Sequence, residues 1–439
     1  MCGIAGFISK QKDAPQRERE FLLDRMCATI RHRGPDEQGT FVAGRAALGM
    51  RRLSIIDLKS GQQPIFSCDG NLAIVFNGEI YNFRELKTEL ENLGHRFKTN
   101  SDTETIVHAY EEFGEKCLDK LRGMFAFAIW DKRAEKLFLA RDRVGKKPLF
   151  YAEISNNFVF GSELKVLLET GEIERKLNFT ALDSYLTFGY VPDDLCIFEN
   201  VHKLPAGHFL IFERGEIRIE QYWDFPPPSE TKLNERETIV ELQRLLGEAV
   251  KIRLVSEVPL GAFLSGGVDS SAIVGLMSRH VEQVKTFSIG FHEDSYNELK
   301  FARRTAEHFK TEHHEFTVTP EMVGEIDNLV EHFDEPFADM SALPMFFVAK
   351  LAREFVTVAL SGDGGDELFA GYTRYATHQK RSSLAKLPRV LRQNVLQTVA
   401  ANLPSGAMGK NYLHNASLDS LDRYIDSISH FGKSNRKQL

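Results

Sequence analysis

The sequence predicts a layered α+β sandwich followed by an α/β doubly wound parallel sheet. Three observations carry this. Through residue 195, short β-branched and aromatic runs gather together with helix-like segments set between them. A proline cluster, Phe225-Pro226-Pro227-Pro228-Ser229-Glu230-Thr231-Lys232, then breaks the pattern and reads as a linker. Beyond it, apolar runs and helical repeats alternate one for one, as parallel sheets require.

Taken in order, 2–8, 72–77, 123–131, 136–142 and 157–161 read as strands. Leu22, Met26 and Ile30 fall four apart, as do Ile106 and Tyr110, and mark helix faces. After the linker, Ile239, Leu242, Leu246, Ala249 and Val250 mark a long amphipathic helix. Strands are then expected at 258–264, 285–290, 314–318 and 355–360, with helices at 270–280, 297–309, 321–332 and 343–354. The expected domains are 2–195 and 235–439, with a connecting hairpin and linker over 196–234.

A chain of 439 residues can fill two or three cores. Its net charge of −7, with no basic stripe, argues against nucleic acid or an anionic membrane as partner. Apolar runs such as 123–130 are too short to span a bilayer. The start, Met1-Cys2-Gly3-Ile4, lacks the basic and apolar regions of a secretory leader. The five cysteines (Cys2, Cys27, Cys68, Cys117 and Cys196) include no C-x-x-C pair, so a reducing, cytoplasmic setting is expected.

Ser265-Gly266-Gly267-Val268-Asp269-Ser270-Ser271 follows an apolar run ending at Leu264. A strand, a glycine turn and a helix start place free N–H groups and a helix dipole where an anion binds. Glycines let the backbone approach phosphate, serines add donors, and Asp269 can hold Mg²⁺. The plain alternative is an ordinary helix with Asp269-Ser270 as its cap. The loop is not a Walker A motif. A second apolar run ends in Ser361-Gly362-Asp363-Gly364-Gly365-Asp366-Glu367, where Asp366 is the expected metal ligand.

Cys2 follows the initiator methionine and precedes a glycine. Removal of Met1 would leave a thiol and an α-amine, nucleophile and base, on one residue. Asn77-Gly78-Glu79 ends a strand and offers an amide and an N–H to an oxyanion. Arg51-Arg52-Leu53-Ser54-Ile55-Ile56-Asp57 offers a guanidinium for a carboxylate. Asp102 can take an ammonium group or cap the helix after it. These are parts for hydrolysing the side-chain amide of a free amino acid.

With these motifs the chain resembles the glutamine-hydrolysing asparagine synthetases. The resemblance also rests on Arg33-Gly34-Pro35-Asp36, Phe76-Asn77-Gly78-Glu79-Ile80-Tyr81-Asn82, Ser101-Asp102-Thr103-Glu104, Gly123-Met124-Phe125-Ala126-Phe127-Ala128 and Leu204-Pro205-Ala206-Gly207. It implies an N-terminal-nucleophile hydrolase sandwich of αββα layers and an ATP pyrophosphatase-type sheet. It implies Cys2 as nucleophile and Asn77 and Gly78 as oxyanion donors. Glutamine would lie against Arg52, Leu53, Ser54, Ile55, Ile56, Glu79 and Asp102. ATP would contact Leu264, Ser265, Gly266, Gly267, Asp269, Ser270, Ile289, Ser361 and Gly362. Asp269 and Asp366 would hold Mg²⁺, and Asp363 would serve formation of the acyl-adenylate. Ammonia would pass through the protein to adenylated aspartate, and a homodimer is expected. Two departures stand out. Family members continue past Leu439 with a helical segment carrying a lysine, so the chain is expected to be incomplete at its C-terminus. Where some relatives place an arginine for the acceptor, this chain reads Asp339-Met340-Ser341-Ala342, which leaves another carboxylate acceptor as the alternative.

Overall fold

The computed structural model describes residues 1–11, 15–293, 297–318, 324–382, 387–404 and 406–432. Twelve strands build the first body. They are β1 (Gly3–Ser9), β2 (Glu37–Ala43), β3 (Ala46–Arg52), β4 (Ile65–Phe66), β5 (Leu72–Ile80), β6 (Gly123–Asp131), β7 (Lys136–Arg141), β8 (Phe150–Glu153), β9 (Asn157–Gly161), β10 (His202–Lys203), β11 (His208–Glu213) and β12 (Glu216–Gln221). They form two six-stranded sheets, ordered β10-β8-β9-β1-β3-β2 and β12-β11-β7-β6-β5-β4. Every strand pairing in them is antiparallel.

The period of two along a strand explains the layers. In β1, Ile4 and Ile8 point between the sheets, against Leu48, Val75, Ala128 and Leu139. Ala5 and Phe7 point outward, onto Leu23 and Met26 of the helix Gln16–Thr29 and Leu164 of the helix Leu164–Leu168. On the other side, Phe76, Phe127 and Phe138 pack under the helices Phe83–Asn92 and Asp102–Phe113. The result is the expected αββα stack. Because β1 lies inside it, all seven residues of β1 are buried, and Cys2 enters the core directly from the chain end.

Residues 196–221 are not a connector as expected, because they belong to the first body. β10 pairs with β8, β11 pairs with β7, and Cys196, Ile197 and Val201 fill the core under the first sheet. The hairpin itself is local and readable, but its pairing with β7 joins residues some seventy positions apart. The hairpin of β2 and β3 went unread; its alanines, glycines and terminal charges give little β signal. The linker proper, 222–234, has no regular structure.

The second body holds β13 (Leu260–Phe263), β14 (Lys285–Phe291), β15 (Glu312–Val318) and β16 (Val358–Leu360), all parallel in the order β15-β14-β13-β16. Helices Glu235–Ile252, Val268–Met277 and Leu299–Phe309 cover one face through Val250, Val274 and Ala302. Helix Ala342–Arg353 covers the other through Val348 and Ala352. This is the doubly wound sheet the alternation required. Strand order reverses beside β13, which opens the ligand crevice between β13 and β16. The helix expected at 321–332 begins outside the described residues and is seen as Ile326–Phe333.

The bodies interlock at several points. The Glu257 carboxylate accepts from Asp57 N (3.0 Å) and Leu58 N (3.4 Å), while Glu257 N donates to Ile55 O (3.0 Å). Glu335 accepts from Ile197 N (2.8 Å) and pairs with Lys203 (2.7 Å).

Candidate active sites joined by one cavity

Cys2 is held by backbone on both sides. Leu53 N donates to its Sγ at 3.4 Å, and the thiol reaches Leu53 O at 3.6 Å. Arg33 Nε donates to Cys2 O at 2.9 Å, and Arg33 Nη1 in turn binds Glu163 at 2.7 Å. Burial pushes the thiol's pKa up; the Leu53 N–H and the Lys147 charge oppose it.

Asn77 sits mid-way along β5, fully buried, and among the described residues neither end of its amide has a hydrogen-bond partner. Orphaned buried amides are costly, so this one waits for a ligand. Gly78 is required beside it, since a side chain there would collide with Met124 O across the β5–β6 pair. Asp102 does not cap its helix. Ser101 does so by accepting from Thr103 N at 3.2 Å, and Asp102 Oδ2 instead accepts from Ile80 N at 2.9 Å. Burial raises the pKa of both Asp102 and Glu79, and Glu79 is raised further by the Asp102 charge. An ammonium group placed between two such carboxyls restores both charges.

Arg52 faces the same space, but its guanidinium already binds Glu37 (2.9 Å), Ile56 O (3.0 Å) and Asp57 O (2.8 Å). It therefore shapes the Leu53–Ile56 loop as well as offering charge. In that loop Ser54 N donates to Asp36 Oδ2 at 2.8 Å.

Sequence reasoning missed Lys147. Its ammonium is buried beside Cys2, pushed down to about 8 by burial and then by Arg33. Among the described residues, the one hydrogen bond of this ammonium is to Met1 Sδ, at 3.0 Å. Lys147 lies in a polar turn, and no local pattern tells that the turn folds back on the chain start. We expect Lys147→Met to move the acid limb of the glutaminase kcat/KM profile to higher pH, because the thiolate loses a neighbouring cation. A profile that holds its position while kcat falls would make Lys147 a packing residue.

At the second site, Gly267 is the N-cap of the helix Val268–Met277 and offers it no side-chain cap. Asp269-Ser270 therefore lies inside the helix, and among the described residues no side chain caps its first N–H groups. Gly266 takes φ +85° and lies so close to Phe301 and Ala302 that no side chain fits. Ser265 Oγ contacts Ser270 Oγ at 3.0 Å and accepts from Gly267 N at 3.2 Å. Leu264 N donates to Phe287 O, which fixes the loop to β14. Ile289 is half-buried on β14 beside Phe287.

The second glycine loop packs against this helix start. A Cβ on Gly362 would fall 2.7 Å from Ser270 N, and one on Gly365 would fall 2.5 Å from Asp269 Oδ2. Ser361 Oγ donates to Asp363 at 2.8 Å. Asp269 lies in the first turn of its helix and Asp366 in the first turn of the short helix Gly365–Phe369, and among the described residues neither carboxylate has a hydrogen-bond or ion-pair partner. The Asp269 carboxylate lies against Gly365 and the Asp366 carboxylate against Gly371; carboxylates of this kind near a helix start are of the type that could hold a divalent cation with phosphate.

One cavity of about 720 Å³ is lined by the Cys2 site and by the start of the Ser361 loop. At one end are Cys2, Asn77, Gly78, Glu79 and Asp102; at the other are Leu360, Ser361, Asp363 and Gly364. Nothing in the sequence announces this, because its walls come from both bodies.

A layered αββα sandwich is thus coupled to a parallel sheet with a crevice at its switch point. Residues 1–223 match the glutamine amidotransferase domain family, and residues 241–438 match the asparagine synthase family. Glutamine-hydrolysing asparagine synthetase 1 of Bacillus subtilis is 39% identical over all of this chain and 69% of its own length. A putative asparagine synthetase of Methanocaldococcus jannaschii is 40% identical over 89% of this chain and 79% of its own. A maize asparagine synthetase is 32% identical over 93% of this chain and 67% of its own. The chain belongs to the glutamine-hydrolysing asparagine synthetase family. No described helix is long and apolar enough to cross a membrane.

Proposed function

We propose that this chain makes asparagine from aspartate, glutamine and ATP, with AMP and pyrophosphate as the other products. The Cys2 thiolate attacks the side-chain amide carbon of glutamine, and Asn77 and Gly78 N–H hold the resulting oxyanion. Collapse expels ammonia and leaves a thioester, which water hydrolyses to glutamate. Arg52 takes the α-carboxylate; Glu79 and Asp102 take the α-ammonium. Removal of Met1 frees the Cys2 amine as base and leaves the Lys147 ammonium without its sulfur partner.

In the second body, Ser265, Gly266, Gly267 and Ser270 cradle ATP phosphates, with Leu264, Ile289, Ser361 and Gly362 around the nucleoside. Asp269 and Asp366 suit Mg²⁺, which supplies charge neutralisation to the triphosphate. The acceptor carboxylate attacks the α-phosphorus, pyrophosphate leaves, and ammonia then displaces AMP, with Asp363 serving the adenylate step. The single observation supporting a coupled reaction is the cavity that reaches from Cys2 to Asp363. The five free thiols support a reducing, cytoplasmic setting, and sedimentation of the purified chain reads the expected homodimer.

Met340, 92% exposed, offers no charge to a carboxylate, and this favours testing acceptors other than aspartate. The purified chain is incubated with glutamine, ATP and a panel of carboxylic acids. Asparagine and AMP are expected to appear one for one with aspartate. AMP release only with another acid would overturn asparagine as the product.

A further inference from the structure

On the outer face of the first body, away from both sites, the loop after helix Phe83–Asn92 lays His95 against the helix Asp102–Phe113. Glu111 Oε2 there lies 3.4 Å from His95 Nδ1 and 3.1 Å from His108 Nδ1. His95, His108 and Glu111 each bring one ligand atom within 4.8 Å of the other two. Ligands on a tetrahedral ion with bonds of about 2.0–2.1 Å stand about 3.3–3.4 Å apart, so both edges match.

The other ring nitrogens carry the second half of the pattern. His95 Nε2 meets Glu112 Oε2 at 2.9 Å, and His108 Nε2 faces Glu104 Oε1 at 3.6 Å. Each imidazole thus turns Nδ1 to a shared carboxylate and Nε2 to a separate one, the outer-shell arrangement of metal-bound histidines. His108 is 1% exposed, and among the described residues its Nε2 has no hydrogen-bond partner. With Nδ1 on a metal, Nε2–H points at Glu104 and closes that gap by a small shift. Glu111 is about a third exposed, which leaves a solvent-side position for a water.

We infer that His95, His108 and Glu111 form a binding site for a Zn²⁺-class cation, separate from the catalytic sites. Two imidazoles and a carboxylate suit a borderline ion better than Mg²⁺ or Ca²⁺. The ion would fasten the loop 93–100 to the helix whose first residue is Asp102. Glu104, the outer partner of His108, already accepts from Lys98 N (2.8 Å) and Thr99 N (2.7 Å) in that loop.

The test is Zn²⁺ titration of the metal-free full chain in competition with a chromophoric chelator, with thermal unfolding read in parallel. The wild type should take up one equivalent that H95Q and E111Q bind at least about tenfold more weakly. Zn²⁺ should raise the unfolding temperature of the wild type more than that of either variant. Glutaminase activity confirms that the variants are folded. Uptake that is absent, or equal in the wild type and both variants, overturns the site.

Discussion

Cys2→Ala is expected to abolish glutamine hydrolysis and to leave ammonia-dependent amide synthesis within about twofold of wild type. The first effect is total because no other thiol stands in the pocket. Cys27, Cys117 and Cys196 are buried in cores, and burial pushes them up to about 12 or beyond. Loss of a covalent nucleophile costs about 10⁴ or more in rate. The second effect follows from separation. The nucleotide loops hang on β13 and β16, which share no sheet with β1. The readout is glutamate release beside AMP release, with glutamine or ammonium chloride as donor. Equal loss in both would mean that the thiol supports the distant sheet and is not a dedicated nucleophile.

The reciprocal substitution is Asp366→Asn. We expect AMP and pyrophosphate release to fall by at least about 10², since a metal-phosphate contact contributes several kcal/mol to the transition state. Glutamine hydrolysis without ATP should be unchanged. Asparagine keeps the side chain's volume and removes its charge, so folding is preserved. Recovery of activity at raised Mg²⁺ would mark a weakened ligand. An unaltered rate at every Mg²⁺ concentration would remove Asp366 from the site.

What could be read from the sequence was local. The Ser265 and Ser361 loops each carry their chemistry within seven residues, after an apolar strand, and both lie where the alternation of elements puts them. Asn77 and Gly78 were readable as the end of a strand, although β5 runs on to Ile80. Lys147 was not readable, because nothing near it in sequence tells that the chain start folds onto it. Ser101 and Asp102 shared one motif, and only the hydrogen bond to Ile80 separates cap from ligand. The cavity was hidden for a stronger reason. Its walls include Leu246, Ala249, Val250, Val255, Ile273 and Val358, apolar residues that carry no chemical signal of their own in the sequence.

If ammonia crosses this cavity, those six apolar side chains would favour one protonation state over the other. In bulk water near neutral pH, released ammonia is mostly ammonium, which has no lone pair to give. A hydrocarbon sleeve strips hydration from an ion at great cost but hardly from the neutral base. Arg253 and Lys146, also in the wall, repel the cation further. An amine that took this route would reach Asp363 as the neutral, reactive base.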